Sequence, residues 1–515
     1  MPVPFAIVRS ASAVRLRSLL ARHGWLIAIA CAYLYVFPYF PRIHSANELP
    51  RVYLVKAIVE DHTFSVDREV QRYDWSPDLA AHNGHMYQNK APGSSLLAVP
   101  VYAVVRWIAG EPGLEASMAL CRIVTGVVPS LLFLWLLFGF LERFAPDPDI
   151  RRLVVITYAL GSLAMTYALL FFSHQLSAVC AGSAWILGAD FADRRRGLVA
   201  LAASGFLAGA AVLVDYEAAF AIPPVAIWLI VRMWRWPRVE LLRAIAIAAV
   251  AAAIPLALLL DYHSRCFGGA FSTGYGHAVT YAKDHDHGLL GMTWPHLDAL
   301  YGTMIAPDNG LFTLAPWLAL AFPGAVMMWR RGQPGVAVMT LVVFAAFLWF
   351  VTSIGFWRAG WEVGPRYLTA MLPFLLPLVA AMLAALHDRP LALGAAAGLM
   401  IVGVVVYSLS SATFPYWPDP FNHPLFEITF RLVADGLFAP NLGSALGLPA
   451  WLAIVPFLAI VGWLVGRGIQ RVCGLRGLAV AVGVALVAFA ALSLVPHEGP
   501  SVDAAYGRIV HSVKR

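Results

Sequence analysis

The chain has 515 residues, of which 60% are hydrophobic and 13% charged, with a mean hydropathy of +0.73 and a formal charge of +7 at pH 7. This composition excludes an ordinary soluble domain and describes an all-α polytopic membrane protein. The Lys and Arg residues fall in short clusters between apolar runs, which is how orientation in a bilayer is encoded, so nucleic acid is excluded as a partner.

The first apolar run, about Gly24 to Phe40, follows Arg9, Arg15, Arg17 and Arg22. It ends in Phe37-Pro38-Tyr39-Phe40 rather than a small-residue cleavage site and reads as an uncleaved first span. From about 42 to 116 the chain turns polar. Asn47-Glu48-Leu49 stands near the start of this loop and Asn83-Gly84-His85-Met86-Tyr87-Gln88-Asn89-Lys90-Ala91-Pro92-Gly93 near its end, and seven carboxylates lie from Glu48 to Asp78. In an otherwise hydrocarbon-matched sequence, this is where chemistry is expected.

The stretch Ser94 to Gly110 is short, follows a Pro-Gly and contains Arg106. If it crossed the membrane, Arg194-Arg195-Arg196 and Arg232/Arg235/Arg238 would fall outside. If it lies flat, both clusters fall inside, as the positive-inside rule prefers, so it reads as an interfacial helix.

Apolar windows of the roughly 17 to 25 residues that a crossing helix needs follow at 117–141, 152–172, 175–190, 198–214, 218–234, 242–261, 311–329, 335–354, 368–386, 391–409, 450–466 and 477–496. With the first span they make about thirteen transmembrane helices in one integral-membrane domain over 1–515. Arg143/Arg151/Arg152, Arg330-Arg331 and Arg467/Arg471/Arg476 then face the cytoplasm with the amino terminus, and the carboxyl terminus lies outside. The exterior holds three long loops, about 42–116, 262–310 and 410–449. Cys31, Cys121, Cys180 and Cys473 lie inside apolar stretches and only Cys266 in a polar loop, so no disulfide framework is implied.

Within the first loop, Glu48 follows the first span and Lys90 stands at the Pro-Gly turn, so a carboxylate and an ammonium can meet at the membrane surface. Transfer of a sugar from a lipid phosphate needs a base for the acceptor hydroxyl and cations for the departing phosphate. The blander readings are a capping Glu48 and a snorkelling Lys90. Asp61, Asp67, Asp74 and Asp78 fit solvated turns as well as a substrate site. His174, in the short turn Phe172-Ser173-His174-Gln175, is placed to hold phosphate or a metal, or to cap a helix. Asp215-Tyr216-Glu217 forms a further outer turn.

In the second long loop, Lys283-Asp284-His285-Asp286-His287 has the alternation of a metal tract but lacks a readable further ligand. Ala306-Pro307-Asp308-Asn309-Gly310 reads as a turn and cap. In Phe356-Trp357-Arg358-Ala359-Gly360-Trp361-Glu362-Val363-Gly364-Pro365-Arg366-Tyr367, the Trp residues suit an aromatic belt, whereas Arg366 at a span mouth offers bidentate contact to phosphate oxygens.

Asn47-Glu48, the Met86-Tyr87-Gln88-Asn89-Lys90-Ala91-Pro92 stretch and the thirteen-span arrangement resemble the GT-C glycosyltransferases, and among them the family-39-like enzymes that include protein O-mannosyltransferases and the lipid A aminoarabinose transferase. The resemblance implies a polyprenyl-phosphate sugar donor, a lipid, glycan or protein acceptor approaching from the periplasmic side of a bacterial inner membrane, and inverting transfer directed by a first-loop carboxylate. It implies catalytic positions at Asn47, Glu48 and Asp67 and donor-phosphate contacts from Lys90, Arg366 and His174. The family's first acidic residue corresponds to Asn47, which cannot accept a proton at any useful pH, so either Glu48 acts as base, or another loop carboxylate such as Asp67 does, or the activity differs from the family pattern. Lys90-Ala91-Pro92 replaces the family's Lys-Pro-Pro. No metal set is assigned, and a divalent cation is left open as cofactor. The competing readings are a transporter or lipid flippase, and a non-catalytic lipid-binding protein of the same fold.

Overall fold

The computed structural model describes residues 11–37, 45–281, 283, 291–419, 421–495 and 500–513. The histidines of the proposed metal tract, His285 and His287, lie outside the described residues, as do Arg9 and the end of the first apolar run.

Helix covers most of each apolar window among the described residues. Seven helical segments among the described residues are long and apolar enough to cross a membrane: Leu114–Arg143, Tyr216–Met233, Arg238–Phe267, Pro334–Ser353, Arg366–Ala385, Pro390–Ala412 and Ala450–Ser493. The last spans two of the expected windows and bends between them at Gly474, whose φ of 69° leaves the helical region. Other windows are shorter or interrupted. The 152–172 window breaks into two helices at Gly161-Ser162, where Ser162 Oγ accepts the Ala164 N–H, and the 311–329 window breaks at Ala315-Pro316.

The elements that build the site lie early in the chain. Helix α1 (Ala11–Tyr35) leads into α2 (Leu49–Lys56), which has Pro50 in its first turn and is buried along its whole length. After a π-helical turn at Ala57–Asp61 come α3 (Asp67–Arg72), the hairpin strands β1 (Leu79–His82) and β2 (His85–Gln88), and α4 (Gly93–Ala109). The chain continues through α5 (Leu114–Arg122), a π-helical turn at Ile123–Val127 that carries it straight into α6 (Val128–Phe140), α7 (Pro148–Leu160), α8 (Leu163–Ala168), α9 (Ser173–Ala192), α10 (Leu198–Val214), α11 (Ile222–Met233) and α12 (Arg238–Phe267).

The hairpin adds the one departure from the all-α expectation among the described residues. Its turn is Asn83-Gly84, both with positive φ (50° and 80°), the type of two-residue turn whose twist matches paired strands. Helix α4 buries Gly93, Ser94, Ser95, Ala98 and Tyr102 and leaves Leu97, Val101, Val104, Trp107 and Ile108 exposed, as an amphipathic helix does. A side chain at Gly93 would stand 2.6 Å from the Leu213 carbonyl oxygen, so only glycine lets the start of α4 meet the end of α10 this closely.

The main core lies between the long helices, where Trp185 and Phe374 pack at 5.3 Å and the Trp317 indole N–H donates to the Gly161 carbonyl. The Trp317 bond satisfies a donor that would be costly to leave unpaired in an apolar interior.

Candidate functional site

The hairpin register determines which side chains meet. Leu79 pairs with Gln88, so Asp78, just before β1, and Lys90, two residues after β2, are brought near each other; Lys90 Nζ lies 3.4 Å from Asp78 Oδ1. Gln88 then fixes the following turn, its Nε2 donating to the carbonyls of Lys90 (3.1 Å) and Ala91 (3.0 Å). The Lys90 ammonium also sits 4.9 Å from the centre of the Tyr275 ring. Burial depresses the Lys90 pKa from its ordinary value; Asp78 opposes that shift, and Arg366 and Arg51 add to it.

Arg366 enters from the far end of the sequence, at the start of the Arg366–Ala385 segment. Its Nε stands 3.3 Å from Glu362 Oε2 but makes no hydrogen bond among the described residues, and its guanidinium lies over the rings of Phe172 (5.2 Å) and Tyr367 (5.8 Å). Burial holds the Glu362 carboxyl well above the usual carboxylate range, against the pull of Arg366 and Arg358.

Lys90 and Arg366 line one cavity of about 430 Å³ together with Asn47, Asp78, Tyr416 and Asp419. Phe172, Tyr281, Phe356, Trp361 and Tyr367 complete much of its wall. Aromatic rings with polar tips present an apolar surface with hydrogen-bonding edges, which suits a molecule that is itself part apolar and part hydroxylated.

Three of the residues named from the sequence, Glu48, Asp67 and His174, lie off the wall of this cavity. Glu48 is not on the cavity wall. It forms a buried bidentate pair with Arg122, at 2.7 Å from Nε and 2.8 Å from Nη2, and accepts two more hydrogen bonds, from the Phe171 N–H (2.6 Å) and the Tyr416 hydroxyl (2.8 Å). A carboxylate with all four acceptor positions filled has none left for a substrate proton. Its partner, 74 residues away, was invisible to a local reading of the loop. Glu48 therefore ties α2 to α5 and holds Tyr416 against the cavity.

Asp67 is likewise spent on structure. Its carboxylate takes the Met86 N–H (2.7 Å), the Ser65 hydroxyl (2.6 Å) and His85 Nδ1 (2.7 Å), bracing α3 against β2. Burial opposes its ionisation, yet these hydrogen bonds win and hold its pKa below the ordinary value. Asn47 does line the cavity, and its Oδ1 accepts from Arg51 Nε at 3.1 Å. Arg51 is itself buried and reaches Ser94 (2.8 Å) and Ser173 (3.1 Å), so it ties the first loop to the start of α9.

His174 is the third of these residues. It does not line the cavity; its Nδ1 lies 2.9 Å from both Asp215 Oδ2 and Glu217 Oε1, with all three residues buried. Its ring packs edge-on to Tyr367 at 5.9 Å, so the cluster stands one ring behind the cavity wall. Ser173 donates to Asp215 at 2.6 Å. Burial works against the Asp215 carboxylate, but His174 and Ser173 outweigh it and hold its pKa low. One imidazole nitrogen and two carboxylate oxygens, all within 4.8 Å of one another, are a donor set that suits a divalent cation of the zinc type with a position left open. Sequence reasoning named each of the three residues but did not join them, because nothing local shows that the turns after α8 and α10 meet.

No family model matches this sequence, and no curated protein matches it. Among solved structures, the chain is similar to ArnT from Cupriavidus metallidurans bound to undecaprenyl phosphate, with a TM-score of 0.50 and 15% identity over 93% of this chain and 77% of that chain. The apo state of the same ArnT gives a TM-score of 0.47 at 15% identity with the same coverage. Arabinosyltransferase EmbB from Mycobacterium smegmatis gives 0.44 at 12% identity over 96% of this chain and 42% of that chain. The likeness to the lipid-bound ArnT, at 15% identity, establishes the fold alone: the chain shares the architecture of that structure.

Two measurements check these placements. Glu48→Gln should destabilise the protein by about 3 to 5 kcal/mol, because it leaves the Arg122 guanidinium buried without its counter-charge, and the Glu48→Gln/Arg122→Leu pair should recover part of the loss in thermal unfolding; a Glu48→Gln protein as stable as wild type would contradict the structural role. Zinc or manganese added after chelation should raise the unfolding temperature of wild type but not of His174→Gln. No shift in wild type would leave the three side chains as an ion-paired brace.

Proposed function

We propose that the protein is a glycosyltransferase of a bacterial inner membrane that moves a sugar from a polyprenyl-phosphate donor to a hydroxyl of a lipid, glycan or protein acceptor. On this reading the chain crosses about thirteen times, with the first loop and the cavity on the periplasmic side. The observation that carries the proposal is one cavity lined by Lys90, Arg366 and a carboxylate, Asp78, with aromatic rings around them. The fold shared with ArnT, whose structure holds undecaprenyl phosphate, supports the same donor class.

The donor phosphate takes the two cations. Lys90 exchanges the loose contact with Asp78 for phosphate oxygens, and Arg366 turns its unbonded Nε toward them. Asp78, released, accepts the proton of the acceptor hydroxyl as that oxygen attacks the anomeric carbon. The carbon–oxygen bond to phosphate breaks, and its electron pair leaves on the polyprenyl phosphate, where Lys90 and Arg366 meet the growing charge. Attack opposite the leaving group inverts the anomeric centre. Asp78 thus takes the base role that Asn47 cannot fill, on the same cavity wall. A divalent cation held by His174, Asp215 and Glu217 would supply further positive charge behind Tyr367.

With a panel of polyprenyl-phosphate sugars, Asp78→Asn, Lys90→Ala and Arg366→Ala should each lower transfer by roughly two to four powers of ten. Wild-type turnover by Asp78→Asn at normal protein level would remove it as the base. Binding of polyprenyl phosphate should also weaken as pH rises, at a lower pH than for an ordinary lysine, because the depressed Lys90 pKa means that its charge is lost earlier. Lys90→Arg should abolish that alkaline decline; an identical decline in the arginine variant would assign it to another group.

A further inference from the structure

A second charged cavity lies at the other end of the helices. Along α9, His174 and Asp190 are separated by on the order of 25 Å of helix, so the end of α9 that carries Asp190 is remote from the donor cavity. There, Arg194, Arg195 and Arg196 at the end of α9 and Arg243 on α12 surround a cavity of about 600 Å³, together with Trp236 and Glu240.

The local carboxylates neutralise only two of these four arginines. Asp190 is taken by Arg143 and Arg196, and Asp193 by Arg143 and Arg232. Arg194 pairs with Glu240 at 2.8 Å and lies flat on the Trp236 ring, 3.5 Å from its centre. Arg195 and Arg243 have no ion pair among the described residues, and both are exposed. The wall thus presents four guanidiniums, two of them paired with Asp190 and Glu240 and two, Arg195 and Arg243, without an ion pair among the described residues.

The apolar surface beside this wall decides between a soluble anion and a lipid. Val199 on α10 is 86% exposed, and Val239 and Leu242 on α12 are 79% and 65% exposed. Helix α12 is one of the segments long and apolar enough to cross a membrane. A free anion uses only the charge, whereas a phospholipid uses both surfaces, with phosphate oxygens on the guanidinium forks and acyl chains along α10 and α12. We propose that this cavity binds the headgroup of an anionic phospholipid of the leaflet remote from the donor cavity.

The test uses the full-length protein in phosphatidylcholine nanodiscs containing a minor fraction of spin-labelled phosphatidylglycerol, with spin-labelled phosphatidylcholine as reference. The immobilised fraction should favour phosphatidylglycerol, and Arg195→Gln and Arg243→Gln should each lower that preference roughly fivefold. Arg467→Gln/Arg471→Gln, a basic pair outside the cavity, should leave it unchanged. Glu240→Gln, which frees Arg194, should raise it, a gain that cannot come from a damaged fold. The proposal is overturned if wild type shows no preference, if the control pair loses as much as the cavity variants, if Glu240→Gln changes nothing, or if soluble glycerol phosphate displaces the lipid as well as excess phosphatidylglycerol does.

Discussion

Lys90 and Arg366 bring like charges into one cavity where little water can hydrate them, their side chains being only 13% and 7% exposed. Two cations in such a place raise each other's energy unless negative charge is nearby. The protein supplies it loosely through Asp78, 3.4 Å from Lys90, whereas burial disfavours the charged form of Glu362, 3.3 Å from Arg366. The contrast with Glu48 and Arg122, bonded twice at 2.7 and 2.8 Å, separates two kinds of ion pair. The short bidentate pair is saturated and holds helices together. The long pairs are partly made, which leaves both cations the capacity that the proposed donor phosphate would use.

The scaffold keeps both cations in place. The hairpin register sets Lys90 beside Asp78, and Gln88 clamps the turn that carries it. The Arg51 hydrogen bonds to Asn47, Ser94 and Ser173 tie this loop to α4 and α9. Tyr416 links the cavity wall to the Glu48–Arg122 pair, so the structural pair and the exchangeable pairs share a neighbour without sharing a task. A loop held at this many points loses little freedom when a ligand arrives, which is what positioning a reactive centre requires.

The helical framework was legible because apolar windows of crossing length are a strong signal, and helix covers most of each among the described residues. Lys90 and Arg366 were legible as cations at the mouths of apolar segments. The pairings were not. Arg122 and Glu48 are far apart in sequence, as are His174 and the 215–217 turn, and no local pattern announces that they meet. The hairpin had a readable sign in Asn83-Gly84, a two-residue turn of the primed type, and reading it would have drawn attention to Asp78 as the partner of Lys90. Asp67 looked like the other loop acids because its three hydrogen-bond donors become neighbours only after α3 packs on β2.

The central claim is that a lipid phosphate displaces Asp78 from Lys90 and is gripped by Lys90 and Arg366 together. A cryo-electron-microscopy map of the protein with undecaprenyl phosphate tests it most directly. The account places phosphate density in hydrogen-bond contact with both cations and a lengthened Lys90 to Asp78 separation. Phosphate density elsewhere, with the Lys90–Asp78 contact intact, would contradict it.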